Sequence, residues 1–158
     1  MAFVLLSCDK GLSPVTVQPP GTGIGGTIHY VSSWPPRDSI YELWVAAIPK
    51  LPEDSSENSF VQDYFNGTIK LSDTLSRFDD SGSVRAFKIV GMSPQTYDYV
   101  GVIQQYGPSY TDLRVIGIYG YSTTHPFPSP VTVTEGASTD GLEIVVDFKN
   151  IPPQPFKP

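Results

Sequence analysis

The clearest alternation of apolar and polar positions lies near the C-terminus of the 158-residue chain, where Leu142, Ile144, Val146 and Phe148 occupy every second position. A period of two is typical of a strand that buries one face. Shorter runs of β-branched and aromatic residues recur upstream between clusters of Gly, Pro, Asp, Asn and Ser. The pattern predicts seven or eight strands, at about 26–32, 42–49, 63–72, 84–91, 97–106, 113–121, 129–135 and 141–148.

The segments between these strands carry turn signals. Asp79–Gly82 and Ser138–Gly141 are predicted turns, because Asp can bond its own backbone and Gly accepts a positive φ. Asn66-Gly67, which falls inside the strand predicted at 63–72, is typical of a type I′ hairpin turn. Residues 49–60 predict a polar acidic loop with room for one helical turn. Half-buried strands joined in this way favour an all-β fold, a single antiparallel β-sandwich of the immunoglobulin-like kind over residues 26–149.

The alternating strands also define a predicted core. Its members are the residues on the apolar face of each strand, and we expect truncation of any of them to destabilise the fold. They are Ile28, Ile69, Leu71, Phe87, Ile89, Val131, Val133, Leu142, Ile144, Val146 and Phe148.

Composition narrows the class of protein. The chain has 14 Gly and 16 Pro, which argues against a mainly helical fold. Ten basic and sixteen acidic residues give a net charge of −6, the wrong sign for neutralising phosphates. We therefore expect no nucleic-acid partner.

The N-terminus carries a possible export signal. Leu5-Leu6-Ser7-Cys8 resembles the bacterial lipobox, in which a cysteine receives a lipid and becomes the mature N-terminus. On this interpretation residues 1–8 are the remnant of a lipoprotein signal, Cys8 is the lipid attachment site, and 9–25 is a flexible Pro/Gly tether. The alternative is that Met1–Leu6 forms a first strand and Cys8 is a small buried residue.

A second resemblance covers the body of the chain. The segment 87–102 resembles the strand, tight turn and following strand of prealbumin-like modules, the transthyretin or carboxypeptidase regulatory-like β-sandwiches. Met92 stands at the family's leucine, Pro94 at its proline and Thr96-Tyr97 at its Thr-Tyr, while Gln95 replaces a glycine. The segment 24–28 is similar to the first strand of these modules, so the resemblance spans 24–148. It implies that Tyr97 anchors the next strand.

Candidate chemistry is sparse. His29 and His125 have no metal-ligand neighbours at diagnostic spacing, so we expect no metal, no cofactor and no catalytic residue. The tyrosines Tyr106, Tyr110, Tyr119 and Tyr121 form the candidate ligand surface, since such rings stack on sugars or anchor protein partners. The alternative is that they pack in cross-strand pairs.

These observations predict a non-catalytic, lipid-anchored module of the bacterial cell envelope, on its periplasmic or surface face, with a binding or structural role. Its partners would be the membrane, through the lipid, and a glycan or an envelope protein. The alternative function is a secreted or periplasmic carbohydrate-binding domain without a lipid.

Overall fold

The computed structural model of the chain describes residues 21–51, 56–75 and 84–155. Strands dominate these ranges, and the fold is all-β, as the alternation predicted. One α-helix, α1 (Glu57–Phe65), and a short 3-10 turn (Arg37–Ser39) accompany them. The strands are β1 (Gly23–Tyr30), β2 (Glu42–Ile48), β3 (Lys70–Leu71), β4 (Val84–Val90), β5 (Thr96–Tyr97), β6 (Tyr99–Gln105), β7 (Leu113–Ile118), β8 (Val131–Thr132) and β9 (Ser138–Val146).

The strands pair in three sheets. One has the order β4-β1-β9, the second has the order β3-β2-β6-β7, and β5 pairs with β8. All of the pairs are antiparallel except β1 with β9, which run parallel. This pair departs from the antiparallel arrangement that the sequence predicted. A parallel pair requires a long connection, and nearly the whole domain lies between these two strands.

Both larger sheets contribute to one apolar cluster, which we call the inter-sheet cluster. It includes Ile28 of β1 and Ile144 of β9 from one sheet, and Val45 of β2 and Val102 of β6 from the other. Nine of the eleven predicted core residues are buried; Leu71 and Phe148 are partly buried and pack against the apolar clusters. Ile69 is buried elsewhere, in a second cluster on the far side of the β3-β2-β6-β7 sheet.

The second cluster, here called the outer cluster, exists because α1 covers that side of the sheet. Phe60 of α1 is buried there against residues of β2, β6 and β7, such as Ile48, Ile103 and Val115. As a result, all seven residues of β6 are buried.

Helix α1 begins in the loop predicted at 49–60 and takes the first three residues of the strand predicted at 63–72, of which β3 is the only part that forms. The Ser56 side chain accepts a hydrogen bond from the Ser59 backbone N–H (3.2 Å) and so caps the first turn. Asn66 ends the helix in a right-handed helical conformation, and Gly67 follows with φ +76°. The Asn-Gly pair is therefore a helix C-terminus, not the predicted hairpin turn, since a type I′ turn needs positive φ at both residues.

Strand β1 begins at Gly23, inside the segment predicted to be a tether, which was expected to extend to residue 25. The glycines of this segment have a structural reason. A Cβ added at Gly23 would meet the Ile89 carbonyl oxygen of β4, and one added at Gly26 would meet the Leu142 carbonyl oxygen of β9. Close approach of two neighbouring backbones, and not only flexibility, accounts for them.

The C-terminal third differs from the prediction in two places. The strand predicted at 129–135 shortens to the two residues of β8, although Val131 and Val133 are buried as expected. The predicted turn Ser138–Gly141 is instead the start of β9, and the turn lies at 134–137, closed by the Ala137 N–H donating to the Thr134 carbonyl (3.2 Å). The turn predicted at Asp79–Gly82 lies outside the described residues.

The Pro-rich tail predicted at 150–158 is described as far as residue 155, and there it forms no strand. It nevertheless contacts the sheet. The Gln154 side-chain amide accepts from the Val115 N–H (2.7 Å) and donates to the Val115 carbonyl (2.9 Å). The amide thus satisfies two outward backbone groups of the edge strand β7, as a neighbouring strand would.

Candidate functional site

The four tyrosines of the predicted ligand surface do not lie together. Tyr106 and Tyr110 belong to the connection between β6 and β7, whereas Tyr119 and Tyr121 follow the opposite end of β7. The six residues of β7 separate the two pairs by roughly 20 Å. Tyr119 packs against the inter-sheet cluster and Tyr121 against the outer cluster.

The first pair is the more accessible one. The Tyr110 side chain is 77% exposed. Tyr106 is also exposed, and the Arg114 guanidinium lies 5.6 Å from its ring centroid, a cation–π distance. The connection is held in shape by Asp112, whose carboxylate accepts from the Ser109 backbone N–H (2.8 Å).

Tyr110 borders a groove between α1 and the outer face of the β3-β2-β6-β7 sheet, which we call the aromatic groove. It encloses about 360 Å³, within the range of small-molecule sites. Its aromatic lining is Trp44, Phe60, Tyr64, Phe65 and Tyr110. Phe65 is 76% exposed, Tyr64 is exposed and Trp44 is half-buried, so three rings besides Tyr110 present accessible surface.

Local structure explains how these rings come together. Trp44 lies on β2, two residues from Glu42, so both side chains point to the same face of the sheet. Tyr64 and Phe65 lie in the last turn of α1, with ring centroids 5.5 Å apart. The helix is held to the sheet by the buried Phe60, one turn before Tyr64.

A second depression adjoins the groove and shares Trp44, Tyr64, Phe65 and Leu71 with it. It encloses about 620 Å³ and is more open and more polar, with Lys70 and Asp73 among its lining residues. Because they share these four residues, the two depressions adjoin one another at the Tyr64-Phe65 pair.

Two polar side chains of the aromatic groove, Glu42 and Gln105, offer hydrogen-bond acceptors. Glu42 of β2 stands directly opposite Gln105 of β6 in the strand register, and both line the groove. Gln105 is 7% exposed, and its Nε2 donates to the carbonyl oxygens of Gly107 (2.9 Å) and Ser109 (3.2 Å). Within the described ranges, neither Gln105 Oε1 nor the Glu42 carboxylate has a hydrogen-bonding or ion-pairing partner.

Two further carboxylates lie close to one another near this region. Burial raises the pKa of Glu57, in the first turn of α1, and the nearby Asp112 carboxylate raises it further. Asp112 immediately precedes Leu113, which lines the groove. These two carboxylates therefore add negative charge near the groove.

The histidines remain separate from the groove. His29 lies on β1, with its Nε2 3.3 Å from the Thr27 hydroxyl, and His125 lies in an exposed connection, edge-on to Phe127. Among the residues that the structure describes, no group of three or more His, Cys, Asp or Glu side chains could hold a metal ion. Cys8, the predicted lipid attachment site, lies outside the described residues.

Comparison with known proteins adds no assignment, since the sequence matches no protein-family model, no curated protein and no solved structure. The described ranges also hold no helix that could span a membrane: a crossing takes about 20 mostly apolar residues, and α1 has nine.

The sequence pointed to Tyr110 but not to the other rings of the groove. Trp44 has apolar neighbours on both sides in a predicted strand, and Tyr64 and Phe65 lie in another segment predicted as strand. The sequence therefore did not distinguish these rings from core residues. The available signal was the adjacent aromatic pair immediately before Asn66-Gly67, at the end of a run that begins with a capping serine.

Proposed function

We propose that this protein is a non-catalytic binding module that holds a glycan in the aromatic groove. The observation that carries the proposal is the set of accessible rings, Trp44, Tyr64, Phe65 and Tyr110, around a cavity of about 360 Å³. Aromatic rings offer large apolar faces with little side-chain entropy to lose, and sugar rings present matching C–H faces.

Binding without cleavage is supported by the carboxylates of the groove. Glycoside hydrolysis generally uses two carboxyl groups on either side of the scissile bond. Among the described residues, Glu42 is the one carboxylate that lines the aromatic groove, and Asp73 lines the adjoining depression instead.

The fold we propose for this module is a single prealbumin-like sandwich. Two observations support it: both larger sheets pack on the inter-sheet cluster, and Tyr97 has the anchoring position that the resemblance implies. The Tyr97 side chain is fully buried, and its hydroxyl donates to the Ser93 carbonyl (3.3 Å).

We also propose that the module is held at the bacterial cell envelope by a lipid on Cys8. This part rests on Leu5-Leu6-Ser7-Cys8 and on the Pro/Gly segment that follows it. Anchoring would place many copies on one surface, so weak single-site binding would gain avidity. The mass of the protein recovered from a bacterial host, compared with Cys8→Ala, tests this part separately.

Calorimetric titration of the full chain with a panel of soluble oligosaccharides, neutral and amine-bearing, tests the binding function. We expect Tyr110→Ala and Phe65→Ala each to weaken binding about tenfold, which corresponds to about 1.4 kcal/mol. Both side chains are exposed, so neither change should disturb the fold.

The matched control is Phe127→Ala, which removes another exposed ring (65%) outside the groove and should leave affinity unchanged. If no oligosaccharide binds, or if Phe127→Ala weakens binding as much as Tyr110→Ala does, the groove is not the glycan site.

A further inference from the structure

The aromatic groove contains an acceptor pair that the fold leaves unused. Glu42 and Gln105 are cross-strand partners on β2 and β6, so their side chains stand side by side at the groove floor. Gln105 Nε2 is occupied by the Gly107 and Ser109 carbonyl oxygens, which leaves Oε1 as an acceptor. In the part of the chain that the structure describes, Glu42 contacts no cationic or hydrogen-bonding group.

Such a pair offers a ligand two acceptor groups at one place. Glu42 is half-buried and its carboxylate has no donor from the described part of the chain, so a cationic donor there would form a charge-assisted hydrogen bond. The described lining of the groove includes no Lys, Arg or His; Lys70 lines the adjoining depression instead. The lining does include hydroxyl and indole donors, so what the described residues lack is a positively charged donor, which a ligand can supply.

The surroundings favour a donor that carries positive charge. Glu57 and Asp112 add negative potential beside the groove, and the chain as a whole carries a net charge of −6. The faces of Trp44, Tyr64 and Phe65 also attract cations, because the π-face of an aromatic ring is electron-rich. Rings and carboxylate thus select for the same ligand charge.

We propose that the glycan held in this groove carries a free amine, as a hexosamine unit does, with its ammonium between the Glu42 carboxylate and Gln105 Oε1 and its sugar ring against the aromatic side chains. This inference rests on the proposed glycan-binding function and specifies its substrate class. An N-acetylated sugar lacks the charge, and its amide N–H offers one weaker donor in place of three.

The test compares three tetramers that differ at one position of each sugar: β-1,4-linked glucosamine, its N-acetylated form and the corresponding glucose oligomer. We expect the full chain to bind the glucosamine tetramer at least about tenfold more tightly than either neutral tetramer. Glu42→Gln keeps the shape of the side chain and removes its charge, and it should remove most of the preference for the amine over the neutral tetramers.

Glu143→Gln is the matched control, because it removes the same charge at a site away from the groove. Glu143 lies exposed on β9, in the other sheet. This variant should preserve the preference for the amine. Thermal unfolding of both variants, expected at the wild-type midpoint, shows that any loss of binding is local.

The outcomes separate the inference from the function on which it rests. Equal affinity for all three tetramers, unchanged by Glu42→Gln, overturns the amine preference and leaves glycan binding intact. Amine binding that Glu42→Gln and Glu143→Gln weaken equally also overturns it, because the attraction is then to the acidic surface in general. Absence of binding to all three tetramers and to the wider panel overturns both proposals.

Discussion

The two larger sheets bury their side chains differently. In β4, which belongs to the β4-β1-β9 sheet, exposed residues alternate with half-buried or buried ones. One face of this strand therefore contacts the core and the other faces water. In the β3-β2-β6-β7 sheet, β6 is buried at every position because α1 and the adjoining loops cover its second face. Both are strand patterns, but only the first shows the simple period of two that sequence reasoning detects.

The covered face is also the one that carries the candidate site. Helix α1 has nine residues, too few to cover the sheet completely, and the aromatic groove lies where its last turn ends beside Trp44. Among the residues that the structure describes, no helix covers the exposed face of β4-β1-β9. Ligand recognition is thus expected where an added element covers a sheet incompletely, since this arrangement produces a concave apolar surface.

The largest expected effect is in the inter-sheet cluster. Ile144 is fully buried and its neighbour Val145 is 54% exposed. Ile144→Ala should lower the free energy of unfolding by roughly 2–5 kcal/mol through lost burial and a cavity, whereas Val145→Ala should stay within about 0.5 kcal/mol. Denaturant midpoints measure both. Similar shifts for the two variants would mean that β9 does not present Ile144 to the core.

A somewhat smaller effect is expected in the outer cluster. Phe60 is 4% exposed and anchors α1, while Phe65 extends into the groove. Phe60→Ala should cost about 3 kcal/mol and Phe65→Ala close to zero, although the latter variant should lose ligand affinity.

Hydrogen exchange sharpens this second prediction. In Phe60→Ala the amides of α1 should exchange faster, while those of β1 and β9 keep their protection, since the two clusters lie on opposite sides of one sheet. Uniform loss of protection across both sheets would show that the helix is not a separable layer.

The smallest effect concerns one buried tyrosine in each cluster. The hydroxyls of Tyr30, in the inter-sheet cluster, and Tyr99, in the outer cluster, have no hydrogen-bond partner among the described residues. Burial raises the pKa of Tyr30 to about 12, although Arg85 lowers it in part, and burial also raises the pKa of Tyr99. The unfolded chain therefore loses these protons at lower pH than the folded one, and stability falls as pH rises from about 10 towards 12.

Tyr30→Phe and Tyr99→Phe should each reduce the loss of stability at alkaline pH. Near neutral pH each variant should have almost the wild-type stability, because no hydrogen bond is broken. Tyr97→Phe is the control: its hydroxyl donates to Ser93, so its removal should cost about 1 kcal/mol at neutral pH. Urea unfolding at about pH 7 and about pH 11 distinguishes the two cases. Unchanged alkaline sensitivity in the Tyr30→Phe, Tyr99→Phe double variant would contradict the assignment.

Local sequence was sufficient for the strands that bury one face. The alternation from Leu142 to Val146 predicted both strand β9 and its buried side, because a period of two directly reports a sheet with one dry face. Turn and breaker residues likewise excluded a helical fold. Tyr110 was found as an exposed candidate because a tight Gly-Pro-Ser connection holds it outside any strand.

Tertiary structure decided the remainder. The parallel pairing of β1 with β9 joins segments from opposite ends of the domain, and no local pattern encodes that proximity. Helix α1 (Glu57–Phe65) packs through Phe60 on the outer face of the sheet that contains β2, β6 and β7. The burial of Phe60 therefore depends on residues distant in sequence. For the same reason, the aromatic groove forms only when the sheet and the helix pack together. That packing brings five side chains to one surface, namely Glu42, Gln105, Trp44, Phe65 and Tyr110. A binding surface depends on the distances between elements, which the order of residues along the chain does not specify.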